Sequence, residues 1–384
     1  MKVTYVSINE FPSRTADSIH TMKMCQAFVQ EGHDVELVAP RRGVGPFKAT
    51  DDLWDFYGLN TEFPITYLPW PRDWGKVLFR GLAALYSRRR SDSLVYSRCL
   101  PTAVLASQMN KPTIWEHHQM IGTRAQNQYL RWLARSQKFL GMVVVSEALR
   151  RAYLEQFESL LNANDIMAIH DGVDLERFDS MPSRKDARIK LGLKPDQFIA
   201  GYIGHLYPGR GVEQIFELAK QLPDIRFLFV GGANQDIENR TRHAADQELA
   251  NVHFAGFVAN SELPAYYAAC DVLLMPYQRE VAVSGGGNTA SYMSPMKMFE
   301  YMATGRMIIA SDMPVLREVL NESNAALCAP EDIHGWRTAL KRAQTDSVWR
   351  KNLSATALVD VSNFTWKRRV RDILANMTVG STLH

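Results

Sequence analysis

The sequence predicts an α/β protein with two doubly wound parallel sheets in tandem. Three observations carry this expectation. Short β-branched apolar runs alternate with amphipathic helical segments in both halves of the chain, the pattern of a parallel sheet covered on both faces. The alternation breaks once, at residues 171–184 (DGVDLERFDSMPSR), and then starts again. The chain has 384 residues, enough for two domains that each bury a core.

The elements follow in order. Residues 3–8 form a first strand and residues 9–17 a loop. Residues 18–30 form a helix whose Ile19, Met22, Met24, Cys25, Ala27 and Phe28 follow a helical period, with Ser18 as N-cap and Gly32 as stop. Further strands fall at 35–38, 94–96, 113–115 and 142–145. After the break come a strand at 198–203, a helix at 212–220 and a strand at 226–230 ending on Gly231 and Gly232. Strands at 252–254, 272–275, 307–310 and 325–327 complete the series, and a last helix begins at Thr365. Ligands of such sheets bind beyond the carboxyl ends of the strands, where the strand order reverses. Two such domains facing each other place one ligand cleft between them.

Composition excludes several classes. Charged residues make up 22% and apolar residues 46%, and the net charge of +3 gives no bulk argument for nucleic acid. The basic runs Arg88–Arg90 and Lys367, Arg368, Arg369 and Arg371 read as solvated helix faces. Cys25, Cys99, Cys270 and Cys328 lack metal-ligand spacing and read as buried thiols. The N-terminus enters a strand without a secretory pattern, and no run of 18 apolar residues occurs, so a cytoplasmic protein is expected. Residues 74–90 add one qualification. Trp74, Val77, Leu78, Leu82, Leu85 and Tyr86 can form an apolar stripe beside Lys76, Arg80 and Arg88–Arg90, the composition of an interfacial helix on an anionic membrane. A buried helix with solvated arginines fits the same residues.

Three stretches carry chemistry. In Ser294-Pro295-Met296-Lys297, Ser294 and Pro295 open a helix, fed by the glycine-rich loop at residues 284–287. A helix amino end is a ready anion site, Lys297 adds a point charge, and Glu300, one turn on, can accept two ribose hydroxyls. An ordinary amphipathic helix has the same composition. In Gly204-His205-Leu206-Tyr207-Pro208-Gly209-Arg210-Gly211, the glycines allow close approach to a ligand and Arg210 can pair with phosphate; most such stretches are simply turns. In Trp115-Glu116-His117-His118, adjacent histidines point to opposite sides, so at most one faces a ligand and they are not read as a metal pair.

These stretches stand in an order that resembles glycosyltransferase family 4, a family of retaining GT-B enzymes that use nucleotide-sugar donors. The resemblance runs through GHDVELVAP, WEHH, HDGVDLERF, GHLYPGRGVEQIFELA, FLFVGG, VHFAGFVANSELPAYYAACDVLLMPY, KMFEYMATGRMIIASDMPVLREVL and NFTWKRRVRDIL. It implies two Rossmann-like domains, 1–178 on the acceptor side and 179–364 for the donor, with helix 365–384 completing the first. Glu300 matches the glutamate that holds the donor ribose. His205 and Arg210 stand where the family has Arg and Lys for the diphosphate, and Gly204 precedes them in the same turn. Ser294, Pro295, Met296 and Lys297 match the phosphate-binding helix start. Phe257 and Val258 lie where backbone groups meet the base, and His118 matches the active-site histidine near the transferred sugar. The loop at 12–17 matches the acceptor-side loop. One position departs: the family's second glutamate, eight residues before the ribose glutamate, is Tyr292 here.

The resemblance implies transfer from a nucleotide-diphosphate sugar, a UDP-sugar favoured, to a glycan, lipid-linked or small-molecule acceptor of polysaccharide biosynthesis. No metal or other cofactor is expected: the chain has no Asp-x-Asp triplet, and Arg210 and Lys297 supply cations. Two alternatives keep the fold. A nucleotide-sugar epimerase needs a histidine and carboxylate set, and none stands out in the sequence. A non-catalytic nucleotide-sugar-binding protein fits the missing glutamate. A dinucleotide oxidoreductase needs G-x-G-x-x-G after the first strand, and that loop, NEFPSRTAD, has no glycine.

Overall fold

A computed structural model describes residues 1–41, 53–70, 75–282 and 287–381, and these divide into two compact units. The first is Met1–Asp171 with Trp366–His384, and the second is Gly172–Thr365.

The first unit runs β1 (Lys2–Val6), α1 (Ala16–Gln30), β2 (Asp34–Arg41), α2 (Leu53–Tyr57), β3 (Ile65–Pro69), α3 (Gly75–Arg89), β4 (Ser93–Ser97), α4 (Leu100–Gln108), β5 (Thr113–Glu116), α5 (Arg124–Ala134), β6 (Phe139–Val144), α6 (Glu147–Gln156) and β7 (Ile166–Ala168). All its strand pairs are parallel, in the order β3-β2-β1-β4-β5-β6-β7. The order reverses between β1 and β4, which places the loop after β1 beside Arg98 at the end of β4. Helix α1 begins two residues earlier than its apolar period suggests. Thr15 is the N-cap, its hydroxyl accepting from the Ser18 amide, so Ser18 lies inside the helix. Strands β3 and β7 were not expected. The first is an edge strand with half-buried side chains, and the second has three residues, so neither shows a clear period.

The second unit runs α7 (Glu176–Asp179), α8 (Arg184–Lys190), β8 (Phe198–Ile203), α9 (Val212–Gln221), β9 (Ile225–Val230), α10 (Asn234–Asp246), β10 (Val252–Gly256), α11 (Leu263–Ala269), β11 (Val272–Met275), α12 (Met296–Ala303), β12 (Met307–Ser311), β13 (Ala326–Cys328), α13 (Ile333–Thr345) and α14 (Ser347–Asp360). Its parallel sheet has the order β10-β9-β8-β11-β12-β13, reversing between β8 and β11. Tyr202, Phe216, Phe229 and Trp336 fill its core; each such aromatic contributes roughly 1.5–3 kcal/mol by leaving water. Helix α15 (Trp366–Ser381) then belongs to the first unit.

The boundary at 178/179 needs correction. Residues 172–178 belong to the second unit: the Val173 amide donates to the Phe364 carbonyl, and Arg177 reaches Asn260 and Glu300. The basic run at 367–371 is a solvated face at Arg368 and Arg371 but not at Arg369. Arg369 is 2% exposed, and Arg371 pairs with Glu31 at 2.9 Å. All four cysteines are buried free thiols.

Candidate functional site

Two clusters of polar side chains sit where the strand orders reverse, one in each unit. In the second unit, the turn after β8 is held by its own chain. Gly209 and Gly211 have φ of +80° and +78°, and a Cβ on them would lie 1.8 Å from the Glu280 carbonyl oxygen and 2.0 Å from that of Pro276. The glycines therefore serve close packing against the segment after β11, where the sequence suggested close approach to a ligand. Between them Arg210 donates from its Nη1 to the Tyr277 hydroxyl at 2.8 Å, with its guanidinium over the same ring. Its Nε is buried without a hydrogen-bond partner.

Helix α12 faces this turn. Pro295 is its N-cap and Met296 its first residue, so Ser294 lies one position outside the expected helix start. Lys297, in the first turn, places its Nζ 4.0 Å from the centre of the Tyr202 ring and 4.9 Å from that of Tyr277. A Cβ on Gly204 would lie 3.4 Å from that amine. Burial, and then the nearby Arg210 charge, push the Lys297 amine well below the usual lysine range. Burial and the same two cations also lower His205, whose ring stacks on Tyr207. The Tyr301 hydroxyl, on the same helix, accepts from the Ile203 amide at 2.9 Å and fixes α12 against the end of β8.

Glu300 is half-buried and already oriented. It accepts from the Tyr267 hydroxyl at 2.8 Å and from Arg177 Nη1 at 3.3 Å. Arg177 also donates to the Asn260 carbonyl and side-chain oxygens at 2.9 and 3.0 Å. It thereby ties Glu300 to the loop after β10, where Phe257 is exposed and Val258 half-buried. Gly204, His205, Arg210, Lys297 and Glu300 thus line the carboxyl end of one sheet, with Phe257 and Val258 on the loop beside them. Tyr292 spends its hydroxyl on the Asn288 carbonyl. The glycine-rich loop upstream lies outside the described residues, save Gly287.

In the first unit, His118 belongs to a network that the sequence did not disclose. Its Nε2 donates to Glu116 Oε1 at 2.8 Å, and its Nδ1 accepts from Arg98 at 3.2 Å. Arg98 also donates to His20 Nδ1 at 2.5 Å and pairs with Asp17. His20 Nε2 lies 3.1 Å from Glu116 and 3.2 Å from Asp171. Tyr96 and Arg369 donate to Glu116 at 2.6 and 2.5 Å. Burial pushes the Glu116 carboxyl up, but His20 and Arg369 outweigh it and hold the group well below the usual carboxylate range. Burial and the Arg98 charge bring His118 down to about 4. His117 lies outside the network, its ring stacked on Trp115, and burial with the neighbouring His118 takes it to about 3.

The set of histidines and carboxylates that the sequence did not reveal is therefore present. With Tyr96, Arg98 and Arg369, its members come from five separate segments, which no local spacing connects. His20, Glu116 and His118 bring ligand atoms within 4.8 Å of one another, a spacing a metal ion can use. Arg98 and Arg369 already donate to these atoms, so the donor set fits a closed ion-pair network better than a cation site.

Comparison with known proteins places this geometry. Residues 18–177 match the family model described as Glycosyltransferase Family 4, and residues 197–346 match Glycosyl transferases group 1. An uncharacterised glycosyltransferase of Methanocaldococcus jannaschii is 27% identical over 240 residues, 60% of this chain and 56% of that protein. Phosphatidyl-myo-inositol mannosyltransferase of Mycolicibacterium smegmatis is 25% identical over 236 residues, 60% of this chain and 55% of that protein. The alignments thus span about half the length of these relatives. HepE of Anabaena, solved with UDP, superposes with a TM-score of 0.75 at 16% identity, covering 99% of this chain and 100% of HepE, which shows the fold. Two Rossmann-like parallel-sheet units of this kind define the GT-B class of glycosyltransferases. Within that class the chain belongs with the family 4-like glycosyltransferases.

The low values of His117 and His118 make folding stability depend on pH. Both imidazoles titrate near 6.5 when unfolded and lower when folded, so the unfolded chain binds more protons in between. Their contribution is complete above about pH 6.5 and is lost as pH falls through about 4 for His118 and about 3 for His117. Urea midpoints measured from pH 7 to pH 4 should fall, and less steeply in a His117→Gln/His118→Gln double variant. An unchanged slope would show that these rings are not the source.

Proposed function

We propose that the chain transfers a sugar from a nucleoside-diphosphate donor, a UDP-sugar in first place, to a glycan, lipid-linked or small-molecule acceptor, with retention at the anomeric carbon. The observation that carries this reading is the pair Arg210 and Lys297 at the reversal of the second sheet. Neither has an acidic ion-pair partner among the described residues, and burial lowers the proton affinity of the lysine. An arriving diphosphate supplies the missing negative charge. As the glycosidic bond breaks, that charge grows on the leaving diphosphate, and fixed cations stabilise it with little reorganisation. The amino end of α12, with Pro295 as N-cap and Met296 and Lys297 in its first turn, adds its dipole. Glu300 takes the ribose hydroxyls, and the loop carrying Phe257 and Val258 meets the base. The diphosphate itself serves as base for same-face attack. HepE, solved with UDP and with UDP-glucose, supports the choice of nucleotide, and the mannosyltransferase relative supports a lipid acceptor.

The first-unit network favours a second reading, a nucleotide-sugar epimerase, because it supplies the required residue types. Its carboxylates are occupied by Arg98, Arg369 and His20, which suits holding His118 in place more than exchanging protons with substrate. Epimer formed from donor without acceptor would favour that second reading. Donor binding without any turnover would favour a non-catalytic binder.

Titration of UDP tests the donor site. Glu300→Gln keeps the shape but loses the charge and one acceptor, so affinity should fall roughly ten- to a hundredfold. Equal binding by a folded variant would remove Glu300 from the ribose role.

Turnover tests the rest. His118 acts on the transferred sugar, so His118→Ala should lower turnover about a hundredfold or more while UDP affinity changes little. The reaction is metal-independent, and excess chelator in the same assay should leave the rate unchanged. A rate lost in chelator and restored by magnesium or manganese contradicts that.

Peripheral membrane attachment through α3 completes the proposal. Val77, Leu78 and Leu85 are 65%, 41% and 46% exposed, and Lys76, Arg88 and Arg89 are exposed beside them. The stripe is narrower than its sequence suggested. Tyr86 packs inward and donates to Glu36, and Arg90 is bound to Val3 and Asp34. Trp74 lies outside the described residues. Flotation with phosphatidylglycerol vesicles at low salt should carry the chain upward; no flotation there ends the idea.

A further inference from the structure

The amino ends of the second unit's strands carry a concentration of positive charge that the donor reading does not use. A cavity of about 290 Å³ opens there, lined among others by Arg184, Arg306, Arg350, Lys351, Asp271 and Ser347. Met307 begins β12 and Asp271 immediately precedes β11, so this is the edge of the sheet opposite Gly204 and Tyr277.

Four cations meet one carboxylate in this cavity, and that carboxylate is already engaged. Asp271 accepts from Arg184 at 2.5 Å, from Arg188 at 2.7 Å and from the Ile199 amide at 2.8 Å. Arg306 has no ion pair and no side-chain hydrogen bond among the described residues, and its Nε is fully buried and unpartnered. Burial lowers its guanidinium below the usual arginine value, and Arg184 and Arg188 add to this against the opposing pull of Cys270 and Asp271. Arg350 donates to the Ala343 carbonyl, and its guanidinium lies over the Phe198 ring. Lys351 is exposed at the rim.

An internal explanation covers part of this. Arg306 follows the carboxyl end of α12, where a cation suits the helix dipole. That accounts for one guanidinium. Asp271 accounts for Arg184, but nothing in this accounts for Arg350 and Lys351 gathered around the same cavity with a single, already shared acid. Ser347 opens α14, whose amino end also favours an anion, although Asp346 already caps the Trp349 amide. The guanidiniums therefore carry the argument, because their planar donors match phosphate oxygens in pairs.

We propose that this cavity binds the phosphate group of a small phosphomonoester, at a site separate from that of the donor diphosphate. Arg306 and Arg350 hold the phosphate from the wall, and Arg184 and Lys351 close on it from the rim. The bound dianion offsets the unpaired Arg306 charge, so occupancy stabilises the second unit.

Inorganic phosphate and glucose 6-phosphate are the probes, titrated calorimetrically into the full chain at constant ionic strength set with chloride. Lys297→Met removes the principal donor-site cation, and binding of the probes should persist in it. Adding Arg306→Gln or Lys351→Gln to that background should weaken binding at least tenfold. Arg306→Gln alone should unfold at the same or a higher temperature than the parent, since it removes an unpaired charge, and should lose the rise in melting temperature that phosphate gives the parent. Binding that vanishes with Lys297→Met alone overturns the proposal, as does binding untouched by both cavity variants. Lys351 is exposed, so its variant keeps the test meaningful should Arg306→Gln fail to fold.

Discussion

Glu116 is wholly buried and ionised, and the first unit is arranged around that fact. A charge removed from water has to be met by opposite charge and by hydrogen bonds, and losing one partner of such a pair costs about 3–5 kcal/mol. Glu116 receives Tyr96 from β4, His118 from the turn after β5, His20 from α1 and Arg369 from α15. Arg369 lies 253 positions away in sequence. The return of the last helix to the first unit is therefore an electrostatic requirement as well as a matter of packing Trp366 edge-on against His20. The same carboxylate orients His118. With Nε2–H committed to Glu116 and Nδ1 to Arg98, one tautomer is selected and the ring is held. Whatever His118 contributes chemically rests on a carboxylate that need not touch substrate.

The second unit solves the opposite problem. Its polar groups at the carboxyl edge include cations that have no acidic partner among the described residues. Arg210 and Lys297 rest against tyrosine rings, which offer the weak attraction of a π face in place of a carboxylate. A ring does not neutralise a cation, so the pair stays available to an anion. At the other edge of the sheet Arg306 likewise has no ion pair among the described residues, although Arg184 and Arg188 beside it share Asp271. The contrast between a network of paired opposite charges and cations without acidic partners among the described residues separates residues that organise the structure from residues proposed to receive a ligand.

Much of the fold was legible because parallel strands buried on both faces read as apolar runs. Residues 198–203 coincide with β8, and 272–275 with β11. What escaped was short or at an edge: β3 is half-exposed and β7 has three residues. The second-unit site was legible because its parts lie on two contiguous stretches, 204–211 and 294–300, that local spacing can register. Even so, the glycines around Arg210 were misassigned, since nothing local shows that Glu280 and Pro276 press on them. The first-unit network was illegible for the same reason at larger scale. His20 sits in a helix among apolar residues and Arg369 in a basic run that looks solvated. Only the folded chain brings them to Glu116.

The tyrosine at position 292 can be weighed against this background. Lys297, Glu300 and Tyr301 are spaced three and four apart, so helix α12 presents them on one side. Tyr301 anchors that side to β8, and Arg177 with Tyr267 holds the carboxylate in place. None of these contacts passes through Tyr292, which lies before the helix and bonds the Asn288 carbonyl. Replacing a glutamate there removes a carboxylate from the stretch ahead of the helix and leaves the groups proposed for diphosphate and ribose in register. On the proposed reading, the substitution alters how the sugar is recognised while the parts that hold the nucleotide stay whole. A chain that had lost its donor altogether would have no comparable reason to keep Lys297 half-buried and without an acidic ion-pair partner among the described residues, a state that costs stability unless an anion completes it.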